Sequence, residues 1–316
     1  MIGQLASRLK QVALFNKMRK LFFLIYSLLI TAALGSCGQA QSTADSKDST
    51  TLMLGVLPTV DCLPFYYADS VGLFDSYGLK ISLVTFDAAM DADTAFMNGT
   101  IDGIVTDLVK ACIWNENTDS MSVVMTGELR LWLVASSEAQ LQNSENLKEK
   151  IIGITRHSSI DYFADKILAS AKLKSIDLNK PQINNIKLRT QMVNQNQYDG
   201  AILPEPYASE AIAKGGNRLE STMNLGAEEL MCVLFNDSVY KDRNMDICKI
   251  KDVYDAAVKA LNADSTSNRL DYIPRSHRLC IPETMFQYTP LNPSIQPKDS
   301  IIQDIKSWAK GRGLIK

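Results

Sequence analysis

Residues 52–110, LMLGVLPTVDCLPFYYADSVGLFDSYGLKISLVTFDAAMDADTAFMNGTIDGIVTDLVK, decide the fold. Three short apolar runs occur in this stretch, at Leu52–Leu57, Leu79–Phe86 and Gly103–Val105, and each is followed by polar residues and a helix-like pattern. That alternation predicts βαβαβ units on a parallel sheet. Ligands of such sheets bind outside the carboxyl ends of the strands, so we expect a binding edge where these runs end.

Polar side chains stand at the carboxyl ends of the predicted strands. Asp61 follows the first strand, where its carboxylate is expected either to accept a hydrogen bond from a ligand or to cap the next helix. Thr106 and Asp107 end the third strand. Asp107 is well placed as a helix cap, which favours Thr106 for ligand contact. Phe65 lies beside Asp61 and is a candidate for stacking on a planar ligand, with ordinary core packing as the alternative.

The second half of the chain repeats this plan. Strands are predicted at Ile151–Thr155, Asn184–Leu188 and Ala201–Leu203, with a helix at Pro206–Lys214. A further strand, Leu230–Phe235, is expected to return to the first half. The repeat predicts two similar lobes that face each other.

Polar residues also follow the strands of the second half. Arg156, Ser158 and Ser159 lie between a predicted strand and a helix N-terminus, where free backbone N–H groups and the helix dipole favour an anion or a carbonyl oxygen. Simple capping by serine is the alternative. Glu205 lies in a Pro-Glu-Pro turn whose prolines fix the backbone, and it is expected to point across a cleft or to cap the next helix.

Composition excludes several classes of function. The chain has 316 residues and a net charge of −2, without a basic run in its body, so no nucleic-acid partner is expected. Two histidines and six cysteines without a C-x-x-C pair predict no metal site. The cysteines after Cys37 are expected to be buried small hydrophobes rather than disulfides. Since no nucleophile elbow or cofactor motif is present, we expect no catalytic residue, no cofactor and no enzyme activity.

Residues 1–36 have the pattern of an export signal. Five basic residues come before or just at the start of an apolar run, Leu21–Leu34, that is too short to span a bilayer comfortably. The sequence Leu34-Gly35-Ser36-Cys37 resembles a bacterial lipobox, which implies that Cys37 becomes the lipidated first residue of the mature protein. A plain signal peptide or an uncleaved anchor is the alternative. Residues 37–50 lack bulky apolar side chains and are expected to form a flexible tether.

Three motifs carry a resemblance to a known family. D-x-L-P-F-Y-x-A, G-L-F-x-x-x-G-L and G-x-I-D-G-x-x-x-D, all within residues 61–107, resemble the first lobe of ABC-importer substrate-binding proteins of the nitrate/sulfonate/taurine and thiamine-precursor branch. The resemblance implies an α/β, two-lobed periplasmic-binding-protein (type II) fold with a ligand cleft between the lobes. Lobe one is expected at residues 51–130 and 231–316, and lobe two at residues 131–230.

The resemblance also implies a function and partners. The protein is expected to be a lipid-anchored, monomeric solute-binding protein in the bacterial cell envelope that faces the periplasm and delivers its ligand to ABC permease and ATPase subunits. Three acids, Asp61, Asp107 and Glu205, against Arg156 alone favour a thiamine pyrimidine precursor or similar heterocycle over nitrate, sulfonates or taurine. The alternatives are a ligand-sensing lipoprotein for a membrane partner and a thiamine-precursor-type enzyme; the clustered cysteines of the latter are absent from this sequence.

Overall fold

The computed structural model describes residues 51–118, 120–279, 281, 286 and 288–316. Nine strands occur within these residues: β1 (Leu52–Val56), β2 (Ile81–Thr85), β3 (Gly103–Asp107), β4 (Met121–Gly127), β5 (Leu131–Ala135), β6 (Ile152–Gly153), β7 (Gly200–Pro204), β8 (Asn217–Ser221) and β9 (Met231–Asn236). They form two mixed sheets, one ordered β2-β1-β3-β9-β4 and the other β6-β7-β5-β8. The predicted α/β class with two sheets is therefore confirmed.

Helices connect the strands and cover the sheets. Those of the described residues are α1 (Leu63–Ser70), α2 (Leu73–Ser76), α3 (Ala89–Met97), α4 (Leu108–Thr118), α5 (Ser159–Ser170), α6 (Ile186–Asn194), α7 (Tyr207–Ala213), α8 (Asp237–Ile247), α9 (Lys249–Ala263) and α10 (Asp299–Gly311). None of these helices is long and apolar enough to cross a membrane. The predicted signal segment 1–36, the tether 37–50 and Cys37 lie outside the described residues.

The first sheet places three strand ends at one edge. Strand β1 pairs in parallel with both β2 and β3, so the carboxyl ends of all three point the same way. Strand β9 returns antiparallel between β3 and β4. The pairing of β3 with β9 needs Gly103, because a Cβ there would lie 2.6 Å from the ring of Phe235. Apolar side chains on both faces of these strands explain why they read as nearly continuous apolar runs.

The second sheet draws its strands from residues 131–221. Strand β5 pairs antiparallel with β7 and β8, and the short β6 pairs in parallel with β7. The chain passes between the sheets twice, at residues 128–130 and 222–230. At the first passage the Arg130 guanidinium donates two hydrogen bonds of 2.7 Å to the Glu128 carboxylate. Thr222 Oγ1 from the second passage donates to the Leu129 carbonyl oxygen at 3.0 Å. The lobe boundaries expected at residues 130 and 230 stay a prediction.

One predicted strand was wrong and one strand was missed. The predicted strand Asn184–Leu188 is the start of α6, because the Asn185 side chain accepts a hydrogen bond from the Leu188 N–H at 2.9 Å and caps the helix. Strand β8 was missed because its sequence, NRLES, contains one apolar residue and lies at a sheet edge.

Candidate functional site

The carboxyl edge of the first sheet lies against that of the second. The backbone N–H of Val60, just after β1, donates to the carbonyl oxygen of Glu205, just after β7, at 2.9 Å. Ala88, after β2, forms an isolated bridge with Asn185, at the start of α6. Residues that the sequence placed at the ends of strands in two separate halves are thus brought together along one line of contact.

Asp107 makes the most direct polar contact across this line. One oxygen of its carboxylate, Oδ1, accepts hydrogen bonds from the Lys110 N–H at 3.0 Å, from the Ser159 N–H at 2.9 Å and from the Ser159 hydroxyl at 3.0 Å. The first contact caps α4, as the sequence predicted. The other two place the carboxylate at the N-terminus of α5, where the helix dipole favours a negative charge. This position is therefore filled by an anion from the chain itself.

The other residues predicted before α5 have local partners. The Ser158 hydroxyl donates to the Thr155 carbonyl oxygen at 2.7 Å and accepts from the Ile160 N–H at 3.2 Å, so Ser158 is the N-cap of α5. Arg156 is exposed, and its Nη2 donates to the Lys180 carbonyl oxygen at 3.4 Å. The contacts of Ser158 are those expected for a helix cap. The side chain of Arg156 makes no described contact with the acids of the first sheet.

Asp61 lies in the short 3-10 turn Val60–Cys62 that follows β1. Burial raises the pKa of its carboxyl group above the usual value, and the Cys62 thiol approaches Oδ2 at 3.7 Å. Its side chain makes no cap of the following helix, because α1 begins without a side-chain cap. The acid is held at the edge in an environment that disfavours its charge, so a donor or cation beside it would be stabilised.

Phe65 and Thr106 lie deeper than the sequence suggested. The Phe65 side chain is fully buried, and its ring packs 5.4 Å from the ring of Tyr254 in the core of the first sheet. Its described ring contacts are thus core contacts, which was the alternative weighed from the sequence. Thr106 is half-buried within β3, opposite Cys232 of β9. Neither side chain has a described polar contact across the line between the sheets.

Glu205 is engaged within the second sheet. Its Oε2 accepts a hydrogen bond from the Ser209 N–H at 3.0 Å, and its Oε1 accepts one from Nη2 of Arg218 on β8. Arg218 also stacks over the ring of Trp132 at 4.4 Å. The carboxylate of Glu205 therefore accepts from a backbone N–H in the first turn of α7, and both of its oxygens already have hydrogen-bond donors.

Sequence reasoning missed two cationic residues on α6. Lys187 forms an ion pair of 3.0 Å with Asp87, which follows β2, and so links the two sheets. Arg189 is 1% exposed, and its Nη1 donates to Thr155 Oγ1 and to the Ile183 carbonyl oxygen, each at 2.7 Å. Burial lowers the pKa of Arg189 to about 10. Both residues were overlooked because the sequence analysis predicted a strand here rather than a helix. The capping side chain of Asn185 was the signal that could have identified the helix.

The described residues offer no obvious place for a metal ion. No group of three or more His, Cys, Asp and Glu side chains converges in them. The thiols of Cys62 and Cys232 are buried, that of Cys112 is half-buried and that of Cys248 is exposed, and all four are free. Burial raises the pKa of the Cys112 thiol to about 11, which keeps it protonated at neutral pH.

Comparisons with known proteins agree with this architecture. The sequence model of the NMT1-like family matches residues 45–270. No curated protein matches the chain significantly. Among solved structures, the alkanesulfonate-binding protein SsuA of Xanthomonas axonopodis pv. citri, bound to MOPS, is 15% identical, with a TM-score of 0.71 over 84% of this chain and 94% of that one.

Two further solved structures share the fold. The periplasmic nitrate-binding protein NrtA of Synechocystis PCC 6803 is 11% identical, with a TM-score of 0.69 over 84% of this chain and 82% of that one. The desulfurization enzyme DSZB is 10% identical, with a TM-score of 0.62 over 84% of this chain and 93% of that one. At these identities the matches establish the two-lobed fold of periplasmic binding proteins.

Proposed function

This chain belongs to the NMT1-like family, and on that premise we propose that it is the solute-binding protein of an ABC importer. Proteins described as binding alkanesulfonate and nitrate share its fold, which supports a binding rather than a catalytic role. The solute would lie between the two sheets, at the edge formed by the ends of β1, β2, β3, β6 and β7. The permease and ATPase subunits of the importer would then be its partners.

The single observation that carries the choice of solute is the contact of Asp107 with Ser159. A helix N-terminus is the usual place for a small oxyanion, and at α5 the Asp107 carboxylate already receives both the N–H and the hydroxyl of Ser159. Nitrate or a sulfonate at this position would have to displace a carboxylate. The same edge carries Asp61 and Asp87, which favour a cation or a hydrogen-bond donor. We therefore propose an amine-bearing or neutral heterocycle, such as a thiamine pyrimidine precursor, as the tightly bound solute.

Closure of the two lobes would bury the solute. The two passages between the sheets, residues 128–130 and 222–230, are the hinge in this proposal, and their hydrogen bonds to each other keep them together during the motion. In the closed arrangement Val60 contacts Glu205 and Asp87 contacts Lys187. These contacts would hold the lobes shut once a solute had filled the space between them.

A thermal-shift screen tests the choice of solute. Pyrimidines, simple amines, taurine, alkanesulfonates and nitrate would each be added at submillimolar concentration, and the melting temperature recorded. We expect an amine-bearing heterocycle to raise it, since a ligand at a hundredfold excess over Kd stabilises by about 2.7 kcal/mol. Asp61→Asn should reduce this shift. Stabilisation by nitrate or an alkanesulfonate, with no response to any amine or pyrimidine, would disprove the proposed solute class.

Lipid anchoring at Cys37 is part of the same proposal. The order of charged segment, apolar core and L-G-S-C supports export and acylation. We propose that the protein is a monomer in the cell envelope and faces the periplasm. Mass spectrometry of the membrane fraction should find a diacylated Cys37 at the N-terminus. The Cys37→Ser protein should leave that fraction or keep its signal segment. An N-terminus cut elsewhere and without lipid would contradict the anchor.

Two alternatives remain as outcomes of these tests. A ligand-sensing lipoprotein would bind the same solute, and it would be recognised if a strain lacking the protein still imported the solute. The similarity to a desulfurization enzyme raises a catalytic alternative. Against it, the Ser158 hydroxyl donates to a backbone carbonyl rather than to a base. Turnover of an ester, amide or sulfinate that disappears in Ser158→Ala would establish the enzyme.

A further inference from the structure

Arg189 is a buried cation for which the described residues supply no acidic partner. Its side chain is 1% exposed, the acids of the described residues form no ion pair with it, and its Nε donates to none of their acceptors. Its two hydrogen bonds, to Thr155 Oγ1 and to the Ile183 carbonyl oxygen, both use Nη1. Buried charges in proteins are ordinarily paired, because an isolated one loses its hydration without compensation. A buried cation without a described counter-charge therefore needs a structural or functional explanation.

The position of Arg189 indicates which way it faces. It lies in the first half of α6, and helical side chains tilt toward the N-terminus of their helix, which here begins at the line of contact between the sheets. Its partner Thr155 lies two residues after the end of β6, and Ile183 lies two residues before Asn185, the cap of α6. The guanidinium therefore lies at the carboxyl edge of the second sheet, the edge at which the proposed solute would bind.

A second donor accompanies the guanidinium. Tyr207 is the first residue of α7, is 1% exposed and belongs to the same apolar cluster as Ile186 of α6, three residues before Arg189. Burial raises the pKa of its hydroxyl above the usual value, so it is a neutral O–H donor at physiological pH. No hydrogen bond of this hydroxyl to another described residue is formed. Arg189 and Tyr207 thus each have an N–H or O–H group at this edge that has no described acceptor.

We propose that Arg189 and Tyr207 form a subsite for an oxyanion group of the solute. The inference deepens the proposed function and rests on it. A carboxylate, sulfonate or phosphate group accepts two parallel hydrogen bonds from a guanidinium and one from a phenol, and would supply the counter-charge that the chain does not. With Asp61 and Asp87 on the opposite edge, the solute would be an amine-bearing heterocycle that also carries an oxyanion group. A bare oxyanion has only the contact with the subsite, so it would bind in the millimolar range.

Titration with simple oxyanions tests the subsite without knowledge of the solute. The full chain would be melted with sodium acetate, methanesulfonate, sulfate or phosphate, against sodium chloride at equal ionic strength. Arg189→Met and Tyr207→Phe remove one donor group each. Arg218→Met is the matched control, because Arg218 is paired with Glu205 in the same lobe. General salt effects on stability act equally on all variants, so the comparison between variants isolates the site.

We expect at least one oxyanion to raise the melting temperature saturably in the wild type and in Arg218→Met. The apparent Kd should rise about ten- to a hundredfold in Arg189→Met, and by about tenfold in Tyr207→Phe, because hydrogen bonds between charged partners are the stronger class. Tyr207→Phe keeps the ring and so guards against a failure of Arg189→Met to fold.

Two results would overturn the subsite. One is equal anion responses in the wild type, Arg189→Met and Tyr207→Phe; the other is the absence of any saturable response in the wild type. If the pyrimidine and amine screen still finds a ligand in either case, the proposed function stands and only the subsite fails. If the wild type responds to neither organic solutes nor oxyanions, the proposed function fails as well.

Discussion

The carboxyl edges of the two sheets carry different chemistry. The strands of the first sheet are followed by the acids Asp61, Asp87 and Asp107. The second sheet presents donors, namely the Ser159 N–H, Arg189 and Tyr207, and its own acid, Glu205, is paired with Arg218. Where an acid meets a donor, as Asp107 meets Ser159, the edges close on each other. Where a donor meets no acid among the described residues, as at Arg189, its charge has no described partner. The comparison separates contacts that join the two sheets from the donors of the proposed subsite.

The largest expected effect on this comparison comes from Asp107→Ala. One carboxylate oxygen both caps α4 and receives two hydrogen bonds from Ser159, so its loss should lower the free energy of unfolding by about 2–3 kcal/mol. Asp107→Asn keeps an acceptor of the same shape and should lose about half as much. Urea denaturation of both variants provides the measurement. A loss of under about 0.5 kcal/mol in Asp107→Ala would show that these contacts are not important for closure.

The second-largest loss of stability is expected from breaking the ion pairs between α5 and Arg312, at the end of the C-terminal helix α10. Arg312 pairs with Asp161 at 3.0 Å and with Asp165 at 2.6 Å, and the side chain of Asp161 is fully buried. Arg312→Met should cost about 1–2 kcal/mol of unfolding free energy, moderated because Lys180 still contacts both acids.

Lys241→Met is the control for this network. Lys241 pairs with Asp237 on the exposed surface of α8, so its loss should change stability by at most about 0.5 kcal/mol. Chemical denaturation of the two variants side by side measures the contrast. Equal small losses would mean that α10 is held by its apolar face, including Ile305 and Ala309, rather than by charge.

A smaller, pH-dependent effect is expected at Asp61. Burial raises the pKa of this acid in the folded protein, so the folded state binds the proton more tightly than the unfolded state does. Its favourable contribution is therefore full below the unfolded pKa of about 3.9 and is lost as pH rises through the folded pKa. Asp61→Asn should melt higher than the wild type at pH 7, and the gap should close in acid. A lower melting temperature for Asp61→Asn at pH 7 would mean that the carboxylate is stabilised in the folded state.

The smallest effect should follow from Lys187→Met. Its ion pair with Asp87 crosses between the sheets at 3.0 Å, but both side chains are about a third or more exposed, so water screens the attraction. The change in unfolding free energy should be about 0–0.5 kcal/mol, and it should vanish at high salt. Melting curves at low and high ionic strength check this. A loss of more than about 1 kcal/mol would assign the closed arrangement to charge pairs at the rim rather than to Asp107.

Much of the fold could be predicted because its signals are local. The apolar runs that became β1, β3, β7 and β9 are short, continuous and bounded by polar residues, which is the pattern of strands buried on both faces. The caps Asp107 and Ser158 also act within three residues of their own position. The failure at Asn184–Leu188 has the same origin, because a short alternating run outweighed a capping asparagine in the interpretation.

The sequence by itself determined that Asp61, Asp107 and Glu205 lie at the ends of strands, because strand ends and helix starts follow from periodicity and caps. Only the tertiary structure decided what each of them meets there. Asp107 accepts a hydrogen bond from Ser159, 52 residues away in the sequence. Glu205 pairs with Arg218, and the ring of Phe65 packs in the core. The lack of an acidic partner for Arg189 among the described residues is likewise invisible in one dimension, because it depends on which segments the fold brings next to Arg189. Hydrogen bonds and ion pairs depend on distances of about 3 Å, and the distances between segments remote in sequence are set by the packing of the two sheets.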